Sequence, residues 1–240
     1  MPHPGARFSA LPGLAGLSAM RTDLPYDLER DFTPVSRVST TTFVLMVHPS
    51  VPARNARELI ALARKQPGKL TYASEGFGAS AHLAGELFKS MAKVDILHVA
   101  YKGGAESSIA AASGQVDMGF PTITATLPLL AAGKIKLLAV TSATRSALKP
   151  EVPTLAESGL PGYDRSSWNG VLAPAGVSKE IVTQLHAVTV KSVESPQMKE
   201  ALKKLGLDPL TSTSEQFAAF IRGEIAQNVK LIQLSGMKKN

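Results

Sequence analysis

Short continuous apolar runs alternate along this chain with stretches in which apolar residues return every three or four positions. The run Phe43-Val44-Leu45-Met46-Val47-His48, closed by Pro49, predicts a strand buried on both faces. Beyond Pro52, Ala56, Leu59, Ile60 and Ala63 stand at i, i+3, i+4 and i+7, one face of a helix that Pro67-Gly68 ends. The alternation continues with a strand over 70–74, a helix opening near Ser80 with Leu83, Leu87 and Met91 on one face, a strand over 94–100 and a helix over 105–112. A strand over 116–120, a short helix over 124–132 and a strand over 135–141 follow. Past the turn residues Pro150, Pro153, Gly159 and Pro161-Gly162 comes a β-rich run over 168–173.

The last third reads as helical. Ser178 can cap a helix carrying Ile181, Leu185 and Val188, and Ser195-Pro196 reads as cap and first residue of another that Gly206 closes. Thr213 with Gln216 forms a capping box ahead of Phe217, Phe220, Ile221, Ile225, Val229 and Ile232. Strands alternating with helices at this spacing predict an α/β architecture with a largely parallel sheet. Residues 1–20 are rich in Gly, Pro, Ala and Leu, but lack the basic start and unbroken apolar stretch of an export signal, and read as a loop or frayed N-terminus.

Composition removes several classes. Charged or strongly polar residues interrupt every apolar run before 18 residues, so no membrane-spanning helix is expected. With no cysteine, disulfides, thiolate metal sites and cysteine nucleophiles are excluded. Lys and Arg number 26 against 19 Asp and Glu, a formal charge of +7 that by itself admits a nucleic-acid surface, an anionic ligand or a solvated basic exterior. The basic residues mostly stand singly (Arg7, Arg21, Arg37, Lys102, Lys134, Arg165) and aromatic residues make up only 5%, so nucleic-acid binding is not expected.

The most distinctive segment runs from Tyr72-Ala73-Ser74 through Glu75-Gly76-Phe77-Gly78-Ala79 to Ser80-Ala81-His82, a strand passing through a glycine-broken turn into a helix. Gly76 and Gly78 allow backbone N–H groups to approach an anion, Ser74 and Ser80 add hydroxyls, and the helix start carries partial positive charge. An ordinary strand-to-helix connection with Ser80 as cap is the other reading. The segment lacks the third glycine of a dinucleotide fingerprint, and no Gly-Lys-Ser/Thr follows as in a phosphate-binding P-loop. Tyr101-Lys102-Gly103-Gly104 and Phe120-Pro121-Thr122 also follow predicted strands, where open α/β sheets place their ligands.

Three successive strand ends bearing hydroxyls, glycines and one cation suggest a floor for a small anion, although each of them alone reads more readily as a plain turn. No catalytic constellation is found: there is no Gly-x-Ser-x-Gly elbow, no HExxH spacing, and Asp95, Asp117 and Asp164 are scattered. His48 and His98 lie in apolar runs and read as core histidines rather than metal ligands. Neither a cofactor nor a metal site is expected.

A set of segments resembles one family in consistent order from about Phe8 to the C-terminus. They include Leu24-Pro25-Tyr26-Asp27, Asp31-Phe32-Thr33-Pro34-Val35-Ser36, Val47-His48-Pro49-Ser50, Tyr72-Ala73-Ser74, His82-Leu83-Ala84-Gly85-Glu86-Leu87-Phe88 and His98-Val99-Ala100-Tyr101-Lys102-Gly103. Further along stand Gly114-Gln115-Val116-Asp117, Leu138-Ala139-Val140-Thr141, Val152-Pro153-Thr154 and Leu172-Ala173-Pro174-Ala175-Gly176. The chain resembles the Bug family, substrate-binding proteins of tripartite tricarboxylate transporters.

The resemblance implies a type II periplasmic-binding-protein fold, with two α/β lobes and a central ligand cleft. One lobe is expected from residues 1–52 and 166–240 and the other from 53–165. It also implies a signal, a first strand and a Pro-Gly-Gly-type loop ahead of residue 1, so the first lobe is expected to be incomplete at its N-terminus.

By the same likeness Ser74, Gly76, Phe77, Gly78, Ala79 and Ser80 would form the ligand loop, with Tyr101 and Thr122 shaping the ligand body and His82 either orienting the helix start or touching the ligand. Pro121-Thr122 stands where many relatives carry Asp-Asn, which removes an acidic partner for an ammonium group and favours a plain organic acid. The implied protein is a periplasmic, monomeric, non-enzymatic receptor working with transporter membrane subunits. A truncated paralogue that binds nothing and serves as a structural or regulatory partner is the alternative.

Overall fold

The computed structural model describes residues 18, 19 and 23–234, so the loop expected over 1–20 lies, apart from Ser18 and Ala19, outside the described residues. The chain divides into a continuous unit, Thr41–Ser166, and a discontinuous one made of the residues up to Thr40 and from Ser167 onward. The division falls earlier than Ala53 because the apolar run after Thr42 is built into the continuous unit's sheet, bonded on both sides.

The first strand, β1 (Phe32–Thr42), was not visible in the apolar pattern, since its sequence FTPVSRVSTTT mixes hydroxyls with few large apolar residues. The continuous unit then runs β2 (Val44–Val47), α1 (Ala56–Lys65), β3 (Thr71–Ser74), α2 (Ser80–Ala92), β4 (Leu97–Ala100), α3 (Gly104–Ala112), β5 (Met118–Gly119), α4 (Ile123–Ala131) and β6 (Lys136–Val140). These strands form one sheet in the order β4-β3-β5-β2-β6.

Strand β3 is parallel to β4, with Ser74 opposite Ala100, and to β5, with Ala73 opposite Gly119. Strand β2 runs against both β5 and β6, so the sheet is mixed rather than largely parallel in its pairings. The helical crossovers α2 and α3 enforce the parallel group, and β2 is slotted between β5 and β6 in the opposite sense. As a result the carboxyl ends of β3, β4 and β5 share one edge, and the connections that follow them emerge there together.

Local chemistry explains the boundaries. Asn55 caps α1 by accepting the Glu58 N–H at 2.9 Å, while Glu58 reaches back to the Arg54 N–H at 2.8 Å. Strand β4 starts at Leu97 rather than 94 because Lys93, at φ 53°, closes α2 in the left-handed conformation. Tyr72, Phe88 and Phe120 are buried together, with Tyr72 and Phe120 rings edge-on at 6.0 Å. Gly85 is required by this packing, since a Cβ there would lie 2.3 Å from the Tyr72 ring.

The discontinuous unit adds β7 (Ser166–Pro174), α5 (Lys179–Glu194), α6 (Pro196–Lys204), β8 (Asp208–Pro209) and α7 (Ser214–Leu234). Its sheet has the order β7-β1-β8, with β8 antiparallel to β1. Leu28, Trp168, Leu172, Phe217 and Ile221 form its core. The expected caps are present: Ser178 accepts from the Ile181 N–H and Ser195 from the Met198 N–H. Thr213 and Gln216 exchange reciprocal bonds of 3.0 and 3.1 Å.

Candidate ligand loop at the strand ends

The turn between β3 and α2 is held by its own hydrogen bonds. Ser74, fully buried at the end of β3, places its hydroxyl 3.1 Å from the Gly76 carbonyl and accepts the Gly76 N–H at 3.2 Å. Gly76 (φ 124°) and Gly78 (φ 75°) adopt backbone conformations that a side chain would strain. The Gly78 N–H donates to His82 Nδ1 at 2.9 Å, and the Ala79 N–H donates to the Gly76 carbonyl at 3.4 Å.

This corrects part of the expected anion grip. The Ser74 hydroxyl and the N–H groups of Gly76, Gly78 and Ala79 are satisfied inside the turn, because the turn is tight enough to close its own bonds. Between Glu75 and His82, the N–H groups of Glu75, Phe77, Ser80 and His82 and the Ser80 hydroxyl make no hydrogen bond among the described residues, and the last four lie at and just before the start of α2. Ser80 is not the helix cap: that position belongs to Ala79, with Ser80 as the first helical residue. A carboxylate already touches the helix start, since Glu75 Oε1 accepts the Ala81 N–H at 3.3 Å.

His82 is buried in the first turn of α2, and its ring stacks on His98 from β4 with centroids 4.1 Å apart. Burial away from water depresses the His82 pKa to about 3, and the adjoining His98 and Lys89 further oppose a charge there. Burial likewise lowers the pKa of His98. His98 was read as a core histidine, but its Nε2 lies 2.6 Å from the Ser74 hydroxyl. Its place on β4, β3's partner strand, three residues before Tyr101, was the only sequence signal that could have drawn it into the site.

Phe77, 69% exposed, stands edge-on to both imidazoles at 5.3 and 4.9 Å. Beneath them the Tyr72 hydroxyl donates to Glu86 Oε1 at 2.7 Å, and Lys89 Nζ pairs with the same oxygen at 2.8 Å, which leaves this buried carboxylate compensated.

The other two strand ends are adjacent to the turn through the sheet. The Tyr101 N–H donates to the Ser74 carbonyl at 2.9 Å, and the Tyr101 ring is half-buried against the core that contains Ala73 and Ala110. Thr122 precedes α4 as its cap residue and bridges to Phe43; its side chain makes no capping bond, and its oxygen lies 3.5 Å from Thr124 Oγ1. Among the described residues no group of three or more His, Asp or Glu could hold a metal ion, and no helix is long and apolar enough to cross a membrane.

The two-unit α/β architecture is that of periplasmic binding proteins. The structure of the periplasmic binding protein BugD is 29% identical with a TM-score of 0.73, covering 94% of this chain and 77% of BugD. An R. palustris protein solved with adipate is 35% identical with a TM-score of 0.77, over 92% of this chain and 75% of its own. MatC from Rhodopseudomonas palustris, with bound malate, is 26% identical with a TM-score of 0.72, over 90% of this chain and 75% of MatC.

Residues 10–237 match the tripartite tricarboxylate transporter family receptor, and the chain belongs to that family. It is 38% identical over 210 residues to the UPF0065 protein in the tcbD-tcbE intergenic region of a Pseudomonas species, and 31% identical over 230 residues to protein BugT of Bordetella pertussis. These alignments cover 87% and 96% of this chain; the chain spans 62% of the length of the former relative and 70% of the latter. Family and fold are those of substrate-binding proteins, not enzymes.

Proposed function

We propose that the chain captures a small organic carboxylate as the extracytoplasmic, periplasmic receptor of a tripartite tricarboxylate-type transporter, acting as a monomer that delivers its ligand to the membrane subunits. The observation that carries this reading is the cluster of open donors around the start of α2: the N–H groups of Phe77, Ser80 and His82 with the Ser80 hydroxyl. They lie at the shared ends of parallel strands, where the partial positive charge of the helix start favours an anion. Adipate and malate in the solved relatives support a carboxylate of this size. In this reading Ser74, Gly76, Gly78, Ala79 and His82 shape the loop, Ser80 meets the ligand, and Phe77, Tyr101 and Thr122 border its body.

Thermal unfolding of the purified chain against a panel of organic acids tests the proposal. A ligand at 100 times its Kd adds about 2.7 kcal/mol of stability, a rise of a few degrees for a chain of this size. Ser80→Ala is expected to weaken binding by about 1–2 kcal/mol, since a buried carboxylate oxygen then loses its donor. An unchanged Kd would remove Ser80 from the site.

The second reading is a structural or regulatory interaction protein that binds no acid. It is favoured by the internal satisfaction of the turn and by Glu75 at the helix start. A cooperative transition that no acid moves would select it.

A further inference from the structure

Two imidazoles hold the glycine turn at its two ends. His98 reaches from β4 to Ser74 with 2.6 Å between Nε2 and Oγ, and His82 reaches from α2 to accept the Gly78 N–H at Nδ1, 2.9 Å away. Their rings stack at 4.1 Å with 26° between planes, and Phe77, at the tip of the turn, packs edge-on against both. The turn is thereby tied to the sheet on one side and to the helix on the other.

Counting hydrogens assigns the tautomers. Ser74 Oγ has a single proton, which the Gly76 carbonyl can take while Oγ accepts the Gly76 N–H; Nε2 of His98 must then be the protonated nitrogen and donate. The other arrangement would bury an N–H of His98 at Nδ1, an atom with no hydrogen-bond partner, and an orphaned donor costs more than a bare acceptor. His82, accepting at Nδ1, is likewise protonated at Nε2.

We propose that the His82–His98 pair is a positioning latch: stacked on each other as neutral imidazoles, the two side chains fix Ser74 and Gly78, and so present the open donors of Phe77 and Ser80 in binding geometry. The proposal rests on the reading of this turn as the carboxylate loop. Neither ring needs to touch the ligand. His82 acts through the Gly78 N–H it accepts and His98 through the Ser74 hydroxyl it holds, and the contact between the rings joins the two ends of the turn.

The test uses the differing reach of amide side chains. His82→Asn carries a carbonyl oxygen to about the place of Nδ1, and His98→Gln carries an amide nitrogen to about the place of Nε2, so both preserve the latch bonds. His82→Gln and His98→Asn are equally polar but carry the amide to the wrong distance.

In titrations with adipate and with malate, the wrong-reach variants are expected to bind about tenfold more weakly than the parent, and the right-reach variants within about threefold of it. Equal affinities within each pair overturn the latch and leave the loop as a ligand site. Amide exchange reads the same bonds with no acid present. The Gly78 N–H should exchange about tenfold faster in His82→Gln than in His82→Asn, and the Gly76 N–H faster in His98→Asn than in His98→Gln.

Equal exchange within both pairs overturns the proposal even where neither acid binds. Unequal exchange with no binding keeps the latch and removes the ligand reading. The two positions are independent tests, so a variant that does not fold at one leaves the other to decide.

Discussion

Helices α2 and α5 carry similar apolar stripes, Leu83, Leu87 and Met91 on one and Ile181, Leu185 and Val188 on the other, but the fold treats them in opposite ways. Nine of the thirteen residues of α2 are buried, including the polar His82 and Glu86. Of the sixteen in α5 only Val193 is buried, and Ile181 and Val188 are 50% and 64% exposed. A 3.6-residue period therefore specifies a helix and a face, while burial depends on what that face meets. Helix α2 packs on β3 and the Tyr72 ring, and its buried polar side chains are each bonded. A hollow of about 570 Å³ bordered by Val182, His186, Thr33 and Ser214 lies beside α5, which is held by its end caps and by α6.

The sharpest break of this contrast is Gly85→Ala in α2. A methyl group 2.3 Å from the Tyr72 ring must displace that ring from the core, at a cost of about 1–3 kcal/mol or more despite the better helix propensity of alanine. Denaturant unfolding measures it, and an unchanged midpoint would show that the ring is free to move.

Acid titration separates the helices next. His82 is neutral in the folded chain down to about pH 3 but protonates near its ordinary value of 6.5 when unfolded. Between those limits the unfolded state binds the extra proton, so stability is complete above about pH 6.5 and declines as pH falls, by up to about 1.4 kcal/mol per pH unit from this group. Comparing unfolding of the parent and His82→Asn over pH 4–7 isolates the slope; parallel curves would count against a buried, neutral imidazole.

On α5 the terms are smaller. Ser178→Ala, which removes the cap on the Ile181 N–H, should cost about 1 kcal/mol. Val188→Lys, on the exposed stripe, should change stability by no more than about 0.5 kcal/mol. A large loss there would mean that this face of α5 is covered in solution.

Much of the local order was legible in the chain. The caps at Ser178, Ser195 and Thr213 with Gln216 could be identified because their bonds span only three residues. Strand β1 was not, since its hydroxyl-rich sequence takes its pairing from β7 and β8, far along the chain. Within the turn, the glycines and serines could be picked out by residue type, but which N–H groups they leave open could not. Gly78 is satisfied by a histidine four residues on, and Ser74 by another across the sheet, and neither bond has a signature in spacing.

The sequence by itself determined the succession of elements from β2 to β7, the helices that follow and the family, because these rest on neighbouring residues and on motifs in order. Tertiary structure decided the direction of β2, the exposure of α5 and the partnership of His82 with His98. Each of these depends on which distant segment supplies the missing hydrogen bond or the covering surface.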